Sequence, residues 1–282
     1  MKKSLIIGAF GGYEWEQVVC WSNSIDRCGF TGDRAVFALN ASYETVEKLE
    51  ARGFRTLVFD RDDENRQYYH ASAVKVHVER FRFIYEYLKD TWQDYDYVVT
   101  TDMRDVIFQS DPVAWLRDNL GGRQIVVSGE GLRIADEDWN RGNFIDTYGP
   151  ALYELAKDRE VNNVGVLGGT AEYMKDLAFN IFSAGVNRLA PITDQAVLNA
   201  LIYTKPFSDV TLYTSQNSDW ACQAGVSADP AKIEGYGPFL MHAPPVFEGG
   251  AVRNPSGQAY CIVHQYDRVP EWNRHFTEKF AN

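Results

Sequence analysis

Two aspartates, Asp102 and Asp105, follow the apolar run DYVVTT, which predicts a buried β-strand. Carboxylates in this position are costly unless they bind something positive, because burial penalises their charge. Arg104 lies between them, so one interpretation is a turn closed by a salt bridge. The other is a metal site in which hard carboxylate oxygens hold Mn²⁺ or Mg²⁺. The chain then becomes apolar again, in VIFQS, before a second turn at Asp111-Pro112.

Two further patches carry amides and a carboxylate that could hydrogen-bond a polar ligand. In VNNVGVLGGT, Asn163 can bind hydroxyl groups and Gly165 lets the backbone approach a ligand, although a glycine-rich turn is the alternative. In TDQAVLNALI, Asp194 lies at the predicted start of a helix, where exposed N–H groups stabilise an anion and keep its pKa low. It could equally be only a helix cap. Gln195 and Asn199 are spaced i, i+4, so both amides lie on one helix face.

The C-terminal patch, CIVHQYDRVPEW, predicts an apolar strand that ends at a histidine, His264. Histidine is a common metal ligand, although a lone histidine is more often structural. His242, in LMHAPP, competes for the same role. Arg268 follows His264 closely, and arginine can grip phosphate oxygens with two parallel hydrogen bonds. The patch therefore predicts a metal ligand beside a phosphate contact.

The elements that must position these groups alternate between strand and helix. SLIIGAF, RAVFALN, FRTLVFD and DYVVTT predict four strands, and EWEQVVCWSNSIDRCG and SYETVEKLEARG predict helices between them. A long helix is predicted over about residues 67–89, with one apolar face made of Val74, Val78, Phe81, Tyr85 and Leu88. This alternation predicts an α/β fold with a mostly parallel central sheet and helices on both faces.

Ligands of such sheets bind beyond the carboxyl ends of the strands. Three of these ends carry polar residues or glycine, at Gly11 to Tyr13, Asp60 and Asp102. In the second half, RQIVVSGEG predicts a strand, DTYGPALYELAKDR a helix, NNVGVLGGTAEYMKDLAFNIF a strand or loop entering a helix, and TDQAVLNALIYT another helix. No repeat or linker separates the halves, so we predict a single domain over residues 1–282.

Taken in order, the four patches resemble the motifs of GT-A glycosyltransferases, and they cover most of the chain. The acidic turn resembles the Asp-x-Asp metal motif of that superfamily, with one residue more. Alignment on the Asp-Pro turn puts Asp105 at the more strongly ligating aspartate. Asp102 would then reach the metal or hydrogen-bond the ribose or donor sugar. The resemblance implies that His264 is the third protein ligand.

The other patches resemble glycogenin-like members of the superfamily. VNNVGVLGGT is similar to the Asn-x-Gly segment that shapes the donor-sugar pocket, and TDQAVLN is similar to a helix that contributes a carboxylate to the catalytic face. In glycogenin-like enzymes the histidine precedes a glycine and a Lys-Pro-Trp tail. Both the glycine and the lysine are missing here, so Arg268 is expected to contact the diphosphate. The variants TDMRDV and HQYDR look like those of bacterial and viral transferases that decorate polysaccharides or glycoproteins.

The resemblance implies a single Rossmann-like GT-A domain, with a nucleotide-binding half over about 1–112 and an acceptor-binding half over about 113–282. It implies a metal-dependent hexosyl- or pentosyltransferase that uses Mn²⁺ or Mg²⁺ and a nucleotide-diphosphate sugar. UDP is the first expectation and GDP the second, and the acceptor is a glycan or glycoconjugate. Retention of configuration is favoured, with Asp194 and Gln195 as catalytic residues. An inverting enzyme would instead need Asp194 or Glu130 as general base.

Residues at other strand ends complete the predicted nucleotide site. Tyr13, close to Phe10, could stack on the base or be a surface tyrosine. Asp60 could accept a hydrogen bond from a uracil or guanine N–H, or be a turn residue. Arg80 or Arg82, on the long helix, could face the phosphates or simply cover a helix face.

The segment SGEGLRIADEDWN predicts an acidic loop with a tryptophan after the fifth strand. Aromatic stacking and carboxylate hydrogen bonds are the usual means of holding a sugar, so this loop is our expected acceptor site; a solvated acidic loop is the alternative. Its residues of interest are Glu130, Asp136, Glu137, Asp138 and Trp139.

Composition excludes several other classes. The 282 residues are 45% hydrophobic, enough for a large core, and the net charge of -11 without a Lys/Arg-rich block makes a nucleic-acid partner implausible. The four cysteines match no zinc or redox spacing and are interpreted as reduced thiols of a cytoplasmic protein. The start, MKKSLIIGAFGG, is too short for a signal peptide and is read as a strand, and no transmembrane segment is predicted.

Other enzyme classes fit the motifs less well. A haloacid-dehalogenase phosphatase needs Asp-x-Asp-Gly-Thr, and the glycines of GAFGG lack dinucleotide-binding spacing. A nucleotidyltransferase usually has a cationic glycine-rich loop after its first strand, where GAFGGYEWEQ is acidic. It remains the alternative enzyme, and a non-catalytic nucleotide- or sugar-binding module remains the alternative from another class.

Overall fold

A seven-stranded sheet forms the centre of the molecule, which a computed structural model describes over residues 2–281. The strands are β1 (Lys3–Gly11), β2 (Asp33–Leu39), β3 (Ala41–Ser42), β4 (Arg55–Leu57), β5 (Asp60–Asp62), β6 (Gln67–Tyr69), β7 (Tyr95–Thr101), β8 (Val106–Phe108), β9 (Ile125–Arg133), β10 (Glu160–Thr170), β11 (Thr211–Thr214), β12 (Ala221–Gln223), β13 (Val246–Glu248), β14 (Ala251–Arg253) and β15 (Ile262–His264).

Helices connect most of these strands. They are α1 (Trp15–Arg27), α2 (Tyr43–Glu50), α3 (Val76–Thr91), α4 (Pro112–Asn119), α5 (Asp138–Tyr148), α6 (Pro150–Ala156), α7 (Ala171–Gly185), α8 (Asp194–Ile202), α9 (Phe207–Val210), α10 (Ala224–Ser227), α11 (Ile233–Tyr236) and α12 (Pro270–Phe280). Short 3-10 turns cover Trp92–Asp94, Gly237–Phe239 and Tyr266–Arg268. None of the helices within residues 2–281 is long and apolar enough to cross a membrane.

The central sheet has the strand order β11-β9-β10-β7-β1-β2-β4. Pairing is parallel for β1 with β2 and β7, β2 with β4, and β9 with β11, whereas β10 is antiparallel to both of its neighbours. The predicted α/β fold with a mostly parallel sheet is therefore confirmed. The carboxyl ends of β1 and β7 lie side by side, which brings the first glycine turn next to the acidic turn.

Both faces of the sheet are covered because successive side chains of a strand point to opposite sides. Leu5 and Ile7 of β1 pack in a cluster with α3, α7 and α8, and Ile6 packs in another with α1, α2 and α4. This explains why SLIIGAF is apolar throughout. Its reading as a first strand is confirmed.

Two predicted boundaries were wrong in the region after β2. The third strand ends at Leu57, and Asp60 begins a separate strand, β5, in a small sheet with β6 and β3. The long helix begins at Val76 rather than near residue 67, because residues 67–69 pair with β5 and β3 instead. Val74 therefore precedes the helix, whereas the remaining positions of the predicted apolar face lie on it.

Two helices in the second half also differ from the prediction. DTYGPALYELAKDR splits into α5 and α6 at Gly149, whose φ is +80°, followed by Pro150. Proline has no N–H to continue the first helix, so the break has a local cause. Helix α12 begins at Pro270, in a segment for which only a preceding strand was predicted.

Candidate active site

The acidic turn after β7 is shaped by its buried methionine. Met103 is 1% exposed and packs where Gly8 of β1 has no side chain: a Cβ on Gly8 would lie 2.8 Å from Met103. With Met103 held in the core, Asp102 and Asp105 both face a cavity. The residue that lengthens the Asp-x-Asp pattern therefore leaves both carboxylates at the same site.

A second, three-stranded sheet of order β12-β15-β8 brings the histidine to the turn. His264 pairs with Val106, the residue after Asp105, and with Gln223 on the other side. The next residue, Gln265, has a left-handed φ of +61° and donates its backbone N–H to the carbonyl of Asp105 at 2.7 Å. The acidic turn and the turn that follows His264 are thus joined by a backbone hydrogen bond.

Asp102, Asp105 and His264 form a group whose ligand atoms all lie within 4.8 Å of one another. His264 Nε2 is 3.5 Å from Asp102 Oδ2 and 3.6 Å from Asp105 Oδ1. Two carboxylates and one imidazole suit Mn²⁺ or Mg²⁺, although identical donors accept other divalent cations too. His242, the competing histidine, is not part of this group.

Two neighbouring residues, Gln223 and Gly165, make this group of side chains suitable for binding a cation. Gln223 Oε1 lies 2.7 Å from His264 Nδ1, which as a donor leaves Nε2 free to face the aspartates. A Cβ on Gly165 would lie 2.4 Å from the His264 ring and 2.9 Å from Asp102 Oδ2. Gly165 lies between Asn163 and Gly168, where the register of β10 against β9 shifts. These observations fit the predicted metal site.

The charges of the group stabilise one another. Burial opposes ionisation of both aspartates, but Arg80 and His264 hold the pKa of Asp102 well below its usual range, and His264 lowers the pKa of Asp105. Burial alone would lower the pKa of His264, yet the two carboxylates raise it to about 9. A cation that binds here replaces a proton on His264.

Arg80 links this group to the start of α8. Its side chain is buried, one nitrogen contacts Asp102, and Nη2 lies 3.1 Å from Asp194 Oδ2. Burial raises the pKa of Asp194 above its usual range, although Arg80 opposes the shift. The expected low pKa was therefore wrong, because loss of hydration outweighs the helix N-terminus.

The first of two adjoining cavities, with a volume of about 200 Å³, adjoins the metal group on the side of β1. It is lined by Phe10, Gly11 and Tyr13, and Tyr13 lies parallel to Phe10 with 6.1 Å between ring centroids. Arg80, Arg104 and Arg268 line it as well. After the nucleotide that the motifs predict at these strand ends, we call it the nucleotide-side cavity. Asp60 is exposed and does not line it, because β5 belongs to the separate small sheet.

The second cavity, of about 390 Å³, lies on the other side of Asp102, Arg80 and His264, and we call it the sugar-side cavity. Glu130 lies within β9, not in the loop after it, and is 5% exposed. Its Oε1 accepts hydrogen bonds from Asn163 Nδ2 at 2.7 Å and Gln195 Nε2 at 3.1 Å. Asn140 Nδ2 lies 3.3 Å from Oε2. Burial raises the pKa of Glu130, while these donors oppose the shift.

The remaining predicted acceptor residues separate into two groups. Glu137 and Trp139 line the sugar-side cavity, and Trp139 is 49% exposed. Asp136 and Asp138 do not line it. Asn199 exchanges hydrogen bonds with the backbone of residue 162, so it holds α8 against β10 rather than facing the cavity.

Sequence reasoning missed several residues of the site. Gln223 supports His264, Asn140 completes the amide network, and His77 lines both cavities. Lys232 lies at the sugar-side cavity on a segment predicted only as loop. Of these, only His77 had a sequence signal, since it lies one helical turn before Arg80.

No protein-family model and no curated protein sequence matches the chain. Solved structures do match. The apo structure of WbbM, a bifunctional glycosyltransferase, aligns with a TM-score of 0.59 and 16% identity, over 100% of this chain and 50% of that one. An active-site glutamine-to-glutamate mutant of LgtC aligns with a TM-score of 0.53 and 12% identity, over 92% of this chain and 86% of that one.

This chain thus spans half of the WbbM chain that it matches. At such low identities the likeness concerns the fold. The chain has a GT-A glycosyltransferase-like fold, as the motifs predicted.

Proposed function

We propose that the chain is a metal-dependent glycosyltransferase. It moves a hexose or pentose from a nucleotide-diphosphate sugar, UDP first and GDP second, to a glycan or glycoconjugate acceptor. The observation that carries this proposal is the position of Asp102, Asp105 and His264 between a cavity with aromatic and cationic residues and a second cavity with hydrogen-bonding amides. That order matches a nucleotide, a diphosphate and a sugar laid end to end, in a fold of the same type as known glycosyltransferases.

On the nucleotide side, Tyr13 and Phe10 offer ring faces to the base, and the backbone at Gly11 lies at the same cavity. Arg268 lines the same cavity and would contact the diphosphate. Asp102, Asp105 and His264 would hold Mn²⁺ or Mg²⁺, which when bound neutralises the charge that develops on the leaving diphosphate. Asp60 is not included, because it lies outside both cavities.

On the sugar side, Asn163, Gln195 and Glu130 would bind donor-sugar hydroxyls. Retention of configuration is proposed because neither buried carboxylate is free to act as a base. Asp194 is 2% exposed and contacts Arg80, and Glu130 accepts hydrogen bonds from three amides. Asp194 would instead orient the acceptor or stabilise positive charge on the sugar. We also propose a cytoplasmic location, in which the four free cysteines stay reduced.

The first experiment is isothermal titration of the protein with UDP and with GDP, in the presence and absence of Mn²⁺. We expect binding that requires the cation. A panel of nucleotide sugars then shows whether free nucleotide or sugar is released, which separates an enzyme from a binding module. Absence of nucleotide binding under all these conditions would contradict the proposal.

The two aspartates are expected to contribute unequally to metal-dependent binding. Asp105→Ala should reduce nucleotide affinity by about 100-fold or more, because Asp105 is buried and a lost metal ligand is rarely replaced. Asp102→Ala should weaken nucleotide affinity less, because the Asp102 carboxylate is also paired with Arg80 and is not devoted to the metal alone. Titration with Mn²⁺ and UDP measures both effects. Unchanged Mn²⁺ affinity in both variants would show that the turn is only structural.

The role of Asp194 is tested by the conservative change Asp194→Asn. Turnover should fall by about 100-fold or more, because a charge near the reacting centre is lost, while UDP affinity changes little. NMR of the anomeric centre of the product with the unmodified protein gives the stereochemical outcome. An inverted product would overturn retention and favour Asp194 or Glu130 as general base.

A further inference from the structure

Four charged side chains form a ring beside the metal group, which we call the arginine–aspartate ring: Arg104, Asp105, Arg268 and Asp267. Asp105 Oδ2 lies 3.5 Å from Arg104 Nη2 and 3.7 Å from Arg268 Nη2. Asp267 Oδ2 lies 2.9 Å from Arg268 Nη1 and 3.6 Å from Arg104 Nη2. Each arginine therefore contacts both aspartates, and the signs alternate around the ring.

Asp105 divides its two oxygens between different neighbours. Oδ1 faces His264, whereas Oδ2 faces Arg104 and Arg268. The oxygen directed at the metal group is thus separate from the one that meets the arginines. When Asp105 binds a divalent cation, its charge is shared, and the two arginines keep Asp267 as their common carboxylate.

Both arginines also face the nucleotide-side cavity, and the side chain of each is 38% exposed. Within residues 2–281 the ring leaves some hydrogen-bonding capacity unused, since the buried Arg104 Nε and Asp267 Oδ1 have no hydrogen-bond partner. Guanidinium groups that share an aspartate at a cavity wall are arranged to receive a second anion.

We propose that Arg104 and Arg268 together bind the diphosphate of the donor, and that Asp267 is a positioning residue that holds the two guanidinium groups side by side. This inference rests on the function proposed above. Arg104 is one of the two residues between the aspartates and directly precedes Asp105, so the acidic turn itself supplies a second phosphate contact. Two arginines on one diphosphate offer paired hydrogen bonds where a single lysine offers a point charge.

The test measures binding of UDP and of uridine in saturating Mn²⁺, UDP by isothermal titration and the weaker uridine by ligand NMR. Arg104→Gln should weaken UDP binding about 10- to 100-fold, as expected for loss of a charged hydrogen bond, and leave uridine binding unchanged. Arg104→Lys should restore part of the loss. Arg82→Gln is the matched control, because Arg82 also contacts two carboxylates but lines neither cavity. We expect no change in that variant.

Asp267→Asn tests the positioning role. It should weaken UDP binding several-fold in the unmodified protein and have a smaller effect in the Arg104→Gln background, because the two residues act through one contact. A purely structural role would lower uridine and UDP binding together. If the unmodified protein binds UDP and Arg104→Gln binds it equally well, the proposed role of Arg104 in diphosphate binding is wrong and the proposed function stands. If the unmodified protein binds neither UDP nor GDP, both fall.

Discussion

The two cavities share His77, Arg80, Asp102, His264, Gln265 and Arg268, but the remaining residues of each are of different kinds. Arg104 lines only the nucleotide side, and its side chain and that of the shared Arg268 are both 38% exposed. The polar groups that line only the sugar side are amides and carboxylates that are almost fully buried, apart from the exposed Lys232. Glu130, Asn140, Asn163 and Gln195 are all between 5% and 7% exposed.

The difference matters for what each side can recognise. Exposed charges attract an anion of any shape, and salt screens them. A buried amide network has fixed geometry and leaves a polar group unpaired when the wrong ligand binds, so it discriminates by position. We infer that the nucleotide side supplies affinity for a diphosphate and the sugar side supplies selectivity. Variants that alter one side at a time test this division.

Arg80 lines both cavities, and its loss should have the largest effect on the free energy of unfolding. Arg80→Met leaves Asp102 and the buried Asp194 without their shared cation, and removing one partner from a buried ion pair costs about 3–5 kcal/mol of folding free energy. Urea unfolding measures the change. Arg82→Met is the control, because the Arg82 side chain is 32% exposed and one of its two partners, Glu86, lies at the surface, so its loss should cost less than that of the buried Arg80. Equal losses in both variants would contradict the role of Arg80.

Sequence reasoning succeeded where the signal was local. β1 and β7 were recognisable because a strand buried on both faces must be apolar throughout. The acidic turn and His264 were found because each directly follows such a run. Arg80 was named, but its contact with Asp194, 114 positions away in sequence, follows only from the packing of α3 and α8 near the same strand ends.

Contacts between distant segments explain what sequence reasoning missed. Gln223 reaches His264 through the parallel pairing of β12 with β15, and no property of ACQ marks it as a support for a metal ligand. Asp60 was misplaced for the opposite reason. It follows an apolar run that predicts a strand of the main sheet, yet pairing with β6 diverts the chain after Leu57. Tertiary pairing overrides local preference in both cases.

Gln223 connects β9 to the metal group, because its Nε2 lies 2.5 Å from Ser128 Oγ of β9 while its Oε1 lies 2.7 Å from His264 Nδ1. Gln223→Leu should lower Mn²⁺ affinity about 10- to 100-fold, as is usual when the partner of a metal-ligating histidine is lost. Isothermal titration with Mn²⁺ measures it. Gln109→Leu is the matched control: Gln109 bonds only backbone groups of residues 252 and 260, so Mn²⁺ affinity should persist. An unchanged affinity in Gln223→Leu would show that His264 needs no orienting partner.

The smallest expected effect concerns the sugar side alone. Here the substitution should raise the folding stability rather than lower it. Because burial raises the pKa of Glu130, the folded state favours the protonated acid. Stability is therefore greatest below the unfolded pKa of about 4.5 and declines as pH rises from there to the folded pKa. Glu130→Gln removes this cost while keeping an amide oxygen for Asn163 and Gln195. We therefore expect a gain in stability at pH 7 that disappears near pH 4.

Urea unfolding at the two pH values, combined with a turnover assay, distinguishes a functional carboxylate from a structural one. Glu172→Gln, in the exposed first turn of α7, should stay within about 0.5 kcal/mol of the unmodified protein at both pH values. Turnover in Glu130→Gln should fall while stability at neutral pH rises, since a buried charge that costs stability is kept where it contacts the substrate. UDP affinity should be unchanged, because Glu130 lines only the sugar-side cavity. A loss of stability equal at both pH values would instead mean that the amide network needs the carboxylate for packing, and the assignment of selectivity to this side would fail.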